Sequence, residues 1–265
     1  MKIVVCVKHV PDATANRTFD AADNTVDRGG VDGLLSELDE YPVEEALKLA
    51  ADNDGEVVVL TIGPDQALDA ARKALQMGAD SAVHVVDEAI HGSDALATSL
   101  VLAKAVEKIG ADGDRVDVVL CGMSSTDGSM GVVPAMLAER LGLPAVTYAS
   151  ELSYADGTVT VRRDGDLATE TVEASVPVLV SVTDQISEPR YPSFKGIMAA
   201  KKKPVESWSL ADIGVEANQV GLAASWTSVD GFEARPPRSQ GTVVTDEDGD
   251  GGTKLAAYLA SQKFV

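Results

Sequence analysis

The chain has 265 residues, of which 45% are apolar and 4% aromatic, and its formal net charge is −20. This length predicts one large α/β domain, alone or with an extension, whose core is built from aliphatic side chains. The negative charge argues against nucleic-acid binding, because most faces of the protein would repel phosphates.

The cysteine and histidine content indicates a reducing compartment and no metal site. Cys6 and Cys121 each end an apolar run, which is typical of buried thiols rather than of a disulfide. None of the three histidines has metal-ligand spacing with another His or Cys. An apolar strand follows Met1 directly, so we expect no signal peptide, and no uninterrupted apolar stretch reaches ~18 residues. We therefore expect a soluble, cytoplasmic protein without direct membrane insertion.

The first two-thirds of the chain alternates predicted strands and helices. Strands are predicted at 3–7, 57–62, 82–86 and 116–121, and helices at 41–51, 65–77, from the Ser93-Asp94 cap to about 109, and at 132–141. The strands are continuous Val- and Leu-rich runs, which indicates burial on both faces. The pattern therefore predicts a mostly parallel sheet flanked by helices.

The pattern changes after residue 149. Three short strands are predicted at 149–154, 158–163 and 168–174. The hairpin signals Asp156-Gly157 and Asp164-Gly165 join them into an antiparallel meander. A further core strand is predicted at 178–182.

The last part of the chain, 204–265, has little hydrophobic periodicity before a terminal helix predicted at 253–262. We interpret it as an extended C-terminal arm that packs on a partner surface, with a flexible tail as the alternative. Trp208, Trp226 and Phe232 favour packing, because disordered tails are usually poor in aromatic residues.

A glycine-rich loop, residues 121–131, lies between a buried strand and a helix. The loop therefore lies at the carboxyl ends of the parallel strands, where open α/β folds bind ligands. The N-terminus of the following helix offers amides to a phosphate. The loop is neither a Walker A motif nor a G-x-G-x-x-G motif. The turns at 7–12 and 62–64 should meet it, which favours an adenine nucleotide site.

The sequence shows no catalytic set around that site. His9 could touch a ligand there or be an ordinary loop histidine. Asp39 and Glu40 are interpreted as carboxylates in the first turn of a helix, where the helix dipole favours negative charge. No Ser has the strand–turn–helix context of a hydrolase nucleophile. A nucleotide pocket without catalytic residues suggests a structural or redox cofactor.

A basic segment, residues 188–203, carries five cations and one carboxylate on this acidic chain. Its prolines and glycine predict a structured loop rather than a helix. Tyr191, Phe194 and Met198 among the cations suit contact with another protein or an anionic cofactor. The alternative is a solvated linker.

Five segments together resemble the beta (small) subunits of electron transfer flavoproteins. They are 5–12 (VCVKHVPD), 39–46 (DEYPVEEA), 74–80 (ALQMGAD), the glycine-rich loop and the basic segment. The combination of E-P-R-Y with I-M-x-A-K-K-K is the most specific part. The resemblance covers residues 2 to about 216 and the terminal helix.

The resemblance implies a Rossmann-like fold of the adenine nucleotide hydrolase type, arranged as a nucleotide-binding domain (1–187), a recognition loop (188–203) and the arm (204–265). It implies an electron carrier without catalytic residues of its own, which binds AMP and pairs with an alpha subunit that holds FAD. Electrons would pass from flavin dehydrogenases, such as the acyl-CoA dehydrogenases of fatty acid oxidation, to a quinone oxidoreductase.

Two other functions stay open at this stage. One is a bifurcating electron transfer flavoprotein whose beta subunit carries a second FAD in place of AMP. The other is an adenine-nucleotide-dependent ligase or hydrolase, which would need a pyrophosphate-binding signature that the sequence lacks. A nucleotide-sensing module would leave the basic segment and the arm unexplained.

The resemblance also assigns residues. The predicted cofactor-binding residues are Cys6, Ser36, Leu38, Asp39, Ile62, Gly122, Met123, Ser124, Ser125, Thr126, Asp127, Gly128, Ser129, Met130, Gly131, Val132 and Val133. The predicted partner-binding residues are Arg190, Tyr191, Phe194, Lys195, Ile197, Met198, Lys201, Lys202 and Lys203, with Phe194 at the apolar tip.

The chain departs from the family pattern at two places. Leu38 stands where the family usually has an aromatic residue near the flavin, and Ala13 lies near another such position. The glycine-rich loop keeps only Gly122 and Asp127 of the G-K-Q-x-I-D pattern, which leaves the ligand open.

Overall fold

The computed structural model describes residues 1–111, 113–238, 241, 243, 245–246 and 248–265. The chain divides into two units, Met1–Asp230 and Gly231–Val265. Five positions of the predicted arm (239, 240, 242, 244 and 247) lie outside the described residues.

Strands and helices alternate through the first part of the larger unit, as the periodicity predicted. The elements are β1 (Lys2–Cys6), β2 (His9–Pro11), β3 (Gly33–Leu35), α1 (Glu37–Asp52), β4 (Glu56–Ile62), α2 (Leu68–Met77), β5 (Ser81–Val85), α3 (Ala95–Ile109), β6 (Val118–Gly122) and α4 (Val133–Leu141).

The second part contains the meander and the basic segment. Its elements are β7 (Ala145–Ala155), β8 (Thr158–Asp164), β9 (Thr169–Ser175), β10 (Val178–Val182), α5 (Phe194–Ala200), β11 (Val205–Trp208) and α6 (Gly221–Ala224). The smaller unit contains α7 (Gly251–Ser261).

Nine strands form one sheet in the order β11-β5-β4-β1-β6-β10-β7-β8-β9, while β2 and β3 pair separately. The pairs from β11 to β7 are parallel, and β7, β8 and β9 pair antiparallel. The predicted fold class, a mostly parallel α/β sheet with an antiparallel meander, is confirmed.

Helices cover both faces of the parallel strands, and successive strand residues face opposite layers. In β1, Ile3 and Val5 pack with α1 and α2, while Val4 packs with α3 on the other face. All three side chains are fully buried. This alternation explains why the strands read as continuous apolar runs.

Helix α1 begins at Glu37, earlier than the predicted 41–51. The predicted bounds followed the apolar stripe, although Asp39 and Glu40 were already expected in the first turn. Glu37, Asp39 and Glu40 occupy the first turn, where the helix dipole favours negative charge, and Pro42 lies inside the helix.

Helix α3 is capped by Asp94, whose carboxylate accepts the amide hydrogen of Ala97 at 2.9 Å. The hydroxyl of Ser93 instead donates to the carbonyl of Ile90 at 2.6 Å. Of the two predicted capping residues, Asp94 is therefore the cap.

Strand β7 begins four residues before the predicted 149–154 strand. Its first residues pair parallel with β10, and after a register shift the strand continues antiparallel with β8. Tyr148 lies at this change with a positive φ of 60°. The alternation of apolar and polar residues breaks there, so the sequence pattern did not indicate that residues 145–148 belong to the strand.

The basic segment was predicted to be a loop rather than a helix, and this is wrong for 194–200, which form α5. Pro189 and Pro192 precede the first turn, so neither removes a helical hydrogen bond. Ser193 caps the helix, since its hydroxyl accepts the amide hydrogen of Gly196 at 3.0 Å.

The start of the predicted arm belongs to the larger unit. Residues 205–208 form β11, which extends the sheet beside β5, and the indole of Trp208 packs under the ammonium of Lys108 at 4.3 Å. Trp226 is 86% exposed. None of the described helices has the length and hydropathy needed to cross a membrane.

Candidate functional site

The candidate site lies where β4, β1 and β6 end. These strands are neighbours and parallel, with β1 in the middle, so their carboxyl ends meet at one edge. The predicted binding residue Ile62 ends β4, on the far side of β1 from β6. The glycine-rich loop therefore contacts the turn after β1 more directly than the turn after β4.

The two cysteines are neighbours at this edge. Because Val5 pairs with Leu120, the following residues, Cys6 and Cys121, lie side by side on adjacent strands. The hydrogen bond between the two thiols, together with burial, raises the pKa of Cys121 well above its usual range. Both are free thiols, and their chemistry here is structural rather than nucleophilic.

Asp127 of the glycine-rich loop is the centre of a charge cluster. Its carboxylate lies 2.9 Å from the ammonium of Lys8 and 2.8 Å from the guanidinium of Arg28, and its side chain is only 4% exposed. Burial opposes ionisation, but Lys8 and hydrogen bonds from Ser125 and Arg28 hold the pKa of Asp127 well below its usual range. With two cations and one anion, this cluster is net positive.

Asp39 faces the same edge from the first turn of α1. Its carboxylate accepts the amide hydrogen of Lys8 at 2.8 Å. Complete burial raises the pKa of Asp39 to about 7, and the charge of Asp127 adds to the effect. Unlike Asp127, Asp39 has no cationic side chain in hydrogen-bond contact among the described residues.

Gly122 allows α1 and β6 to approach closely. A Cβ at this position would lie 2.6 Å from the carbonyl oxygen of Leu38 and 2.7 Å from the carboxylate of Asp39. The predicted residues Leu38, Asp39 and Gly122 are thus brought together by backbone contact.

Ser36 and Arg17 fix the middle of the loop. The hydroxyl of Ser36 accepts the amide hydrogen of Thr126 at 3.4 Å, and Arg17 donates to the carbonyl of Thr126 at 3.2 Å. Two buried polar atoms, Nη1 of Arg28 and Oγ1 of Thr126, have no hydrogen-bond partner among the described residues. Such atoms are rare inside proteins and are available to a polar ligand.

The loop ends at the N-terminus of α4. Ser129 and Gly131 have positive φ values of 52° and 66°, and the side chain of Met130 is 62% exposed. Within the described part of the chain, no side chain caps α4. Its first amides, except at Pro134, which has no N–H, can therefore bind an anion.

Tyr148, which the sequence reading missed, packs against the end of this loop. A Cβ on Gly131 would lie 2.8 Å from the phenolic oxygen of Tyr148. Lys8 and Arg28 were also missed. Lys8 lies in the 7–12 turn, which was expected at this edge of the sheet. Arg28 lies in a stretch without hydrophobic periodicity, where no motif indicated a binding residue.

These residues fit an adenine nucleotide. A net positive cluster, uncapped amides and unpaired buried polar atoms suit a phosphate and a polar base. A separate pocket of about 620 Å³ adjoins Arg28; residues 28–33, His9, Gln66 and Asp69 line it, and none of these belongs to the glycine-rich loop.

The basic segment forms a second candidate surface. Its apolar side chains Tyr191, Phe194 and Met198 are 87%, 80% and 48% exposed. Lys195, Lys201 and Lys202 are exposed beside them and make no ion pair with the described residues. The structure places the other two cations, Arg190 and Lys203, in contacts within the chain.

Comparison with known proteins agrees with this arrangement. Residues 23–213 match the family model described as "Electron transfer flavoprotein domain". The chain is 46% identical to the electron transfer flavoprotein subunit beta of Mycobacterium tuberculosis (strain ATCC 25618 / H37Rv) over 99% of both chains.

More distant relatives cover nearly the same length. The electron transfer flavoprotein subunit beta of Megasphaera elsdenii is 38% identical over all of both chains. The caffeyl-CoA reductase-Etf complex subunit CarD of Acetobacterium woodii is 37% identical over 92% of both chains. This chain belongs to the electron transfer flavoprotein family, among its beta subunits.

Proposed function

We propose that this protein acts in a heterodimer with an alpha subunit that holds FAD, binds AMP itself, and carries electrons from flavin dehydrogenases to a quinone oxidoreductase. The flavin supplies the redox chemistry of such a complex. The residues of this chain bind the nucleotide, help to enclose the flavin and recognise partners.

The observation that carries the proposal is the exposed apolar surface of the basic segment. Phe194 and Met198 project beside three lysines that form no ion pair with the described residues, on a chain whose net charge is −20. Local positive charge steers the encounter with an acidic partner, and a buried apolar side chain then supplies most of the binding energy. Acyl-CoA dehydrogenases are our expected donors.

The nucleotide site supports AMP. Arg28 and the free amides in the first turn of α4 can bind a phosphate, and the unpaired Oγ1 of Thr126 is available to another polar group of the ligand. Asp127 is paired and ionised, the thiol of Cys121 is buried with a raised pKa, and the carboxylate of Asp39 is buried and bonded to the amide of Lys8. We therefore infer that this subunit is not itself an enzyme. Its free cysteines fit the cytoplasm, where thiols stay reduced.

The test is to co-express this chain with the alpha subunit, purify the complex and identify the small molecules released on denaturation. We expect FAD and AMP in equal amounts. Release of two FAD and no AMP would instead support the bifurcating alternative. A chain that stays alone and consumes ATP would contradict both.

A further inference from the structure

The basic segment is held at its start by an ion pair between the partly exposed Arg190 and the buried Glu44. The guanidinium of Arg190 donates to both carboxylate oxygens of Glu44 on α1, at 2.6 and 2.9 Å, and its backbone amide donates to the same carboxylate at 3.1 Å. The side chain of Glu44 is only 6% exposed. Burial alone would raise the pKa of Glu44, but its bonds with Arg190 lower it, so the pair stays charged.

The segment is held at its end by Lys203. The ammonium group donates to the carbonyl oxygens of Leu75 and Gly78, at 3.1 and 2.8 Å, and to that of Ala79. These contacts use all three of its N–H donors. The acceptors lie at the C-terminal end of α2, where free carbonyls and the helix dipole favour a cation.

The middle of the segment rests on the same end of α2. A Cβ on Gly196 would lie 2.5 Å from the carbonyl oxygen of Gln76, so the backbone of α5 lies directly against α2. Helix α5 has seven residues, none of them buried. A helix this short is marginal alone, so its order depends on these contacts.

Three motifs that are separate in the sequence therefore form one structural unit. Residues 39–46 contain Glu44, residues 74–80 supply the carbonyl oxygens, and residues 188–203 contain Arg190 and Lys203. We propose that Glu44 and Lys203 are positioning residues, which hold α5 in a fixed orientation so that Phe194 and Met198 are presented preordered to a flavin dehydrogenase. The inference rests on the function proposed above.

Preordering raises affinity because the partner does not have to order the helix during binding. Neither residue offers a free polar group to a partner, since the carboxylate of Glu44 is buried and bonded to Arg190 and the ammonium of Lys203 is fully used. Their effect should therefore appear in the Michaelis constant for the dehydrogenase and in the mobility of α5.

The first measurement is amide hydrogen exchange in the co-purified heterodimer. We expect Glu44→Gln and Lys203→Met each to speed exchange at 194–200 by about tenfold and to leave exchange in β1 and β6 unchanged. The matched control is Lys104→Met, which removes an ion pair with Glu107 within α3 and should not affect 194–200. Faster exchange throughout the sheet would mean general destabilisation and would overturn the inference.

The second measurement is steady-state reduction of the complex by a reduced acyl-CoA dehydrogenase. We expect both variants to raise KM about tenfold, with kcat and flavin content unchanged. Unchanged exchange at 194–200 in both variants, or faster exchange with unchanged KM, would overturn the inference. Failure of the unmodified complex to accept electrons would contradict the proposed function. The hydrogen-exchange measurement does not depend on electron transfer, so the two failures can be distinguished.

Discussion

At the residue scale, Asp39 is a buried carboxyl group that ionises only at a free-energy cost. Its pKa is raised to about 7 in the folded protein, whereas an unfolded Asp has an ordinary value near 4. The folded state therefore binds more protons than the unfolded state between those values. Its contribution to stability is fully present below pH 4 and is lost as the pH rises through about 7.

We predict that Asp39→Asn removes this pH dependence. At pH 8 the variant should be more stable than the unmodified protein by up to about 4 kcal/mol, and the difference should vanish near pH 4. Thermal unfolding of the co-purified complexes from pH 4 to pH 8 measures this. A gain that does not depend on pH would show that Asp39 does not titrate in this range.

The second residue-scale prediction concerns Phe194, whose side chain is 80% exposed. Phe194→Ala should raise KM for a dehydrogenase about tenfold or more, because an apolar anchor is lost, without changing flavin content. Leu167→Ala is the matched control, since Leu167 is fully exposed in the turn between β8 and β9. Equal kinetics for both variants would count against a docking role for Phe194.

At the scale of elements, the contact between α1 and β6 shapes the nucleotide site. Residue 122 has no space for a side chain, because the first turn of α1 occupies it. Helix α1 thus brings Leu38 and Asp39 to the glycine-rich loop only while position 122 is glycine.

We predict that Gly122→Ala separates α1 from β6, destabilises the complex by about 1–3 kcal/mol and lowers its AMP content. Gly252→Ala is the control, since it lies outside the predicted site and a Cβ there would meet no described atom within 4 Å. The Tm and the nucleotide released per heterodimer measure the effect. Full AMP occupancy in Gly122→Ala would show that the contact between α1 and β6 is not needed for nucleotide binding.

At the scale of the whole molecule, the charge distribution is strongly uneven. The chain carries 42 acidic and 22 basic residues, yet five of the basic residues lie within the basic segment. Two of these five, Arg190 and Lys203, are used in contacts inside the chain. Lys195, Lys201 and Lys202 remain to attract a partner.

We predict that KM for an acidic dehydrogenase rises with salt, because ions screen attraction beyond about 8 Å at physiological ionic strength. Replacing Lys201 and Lys202 by Gln should weaken this salt dependence. The control replaces Lys48 and Lys104 by Gln, which changes the net charge by the same amount. These lysines pair with Glu45 and Glu107 inside their own helices, so their replacement should leave the salt dependence unchanged. The same salt dependence in both double variants would exclude local steering.

Elements whose signals are local could be predicted from the amino-acid sequence alone. Buried apolar runs marked the parallel strands, and Asp-Gly turns marked the meander, because each depends on a few neighbouring residues. The order of five motifs was enough to identify the family, and the comparisons confirm it. Local rules failed at α5, because both prolines precede its first turn and a helix this short depends on its contacts with α2.

Which side chains share a site depends on contacts between residues that are far apart in the chain. Arg28 and Lys8 reach Asp127 across 99 and 119 residues of chain, and Arg190 reaches Glu44 across 146. The pKa of Asp39 likewise depends on burial against β6. Such contacts depend on how the strands are ordered in the sheet, and a pattern of neighbouring residues carries no information about that order.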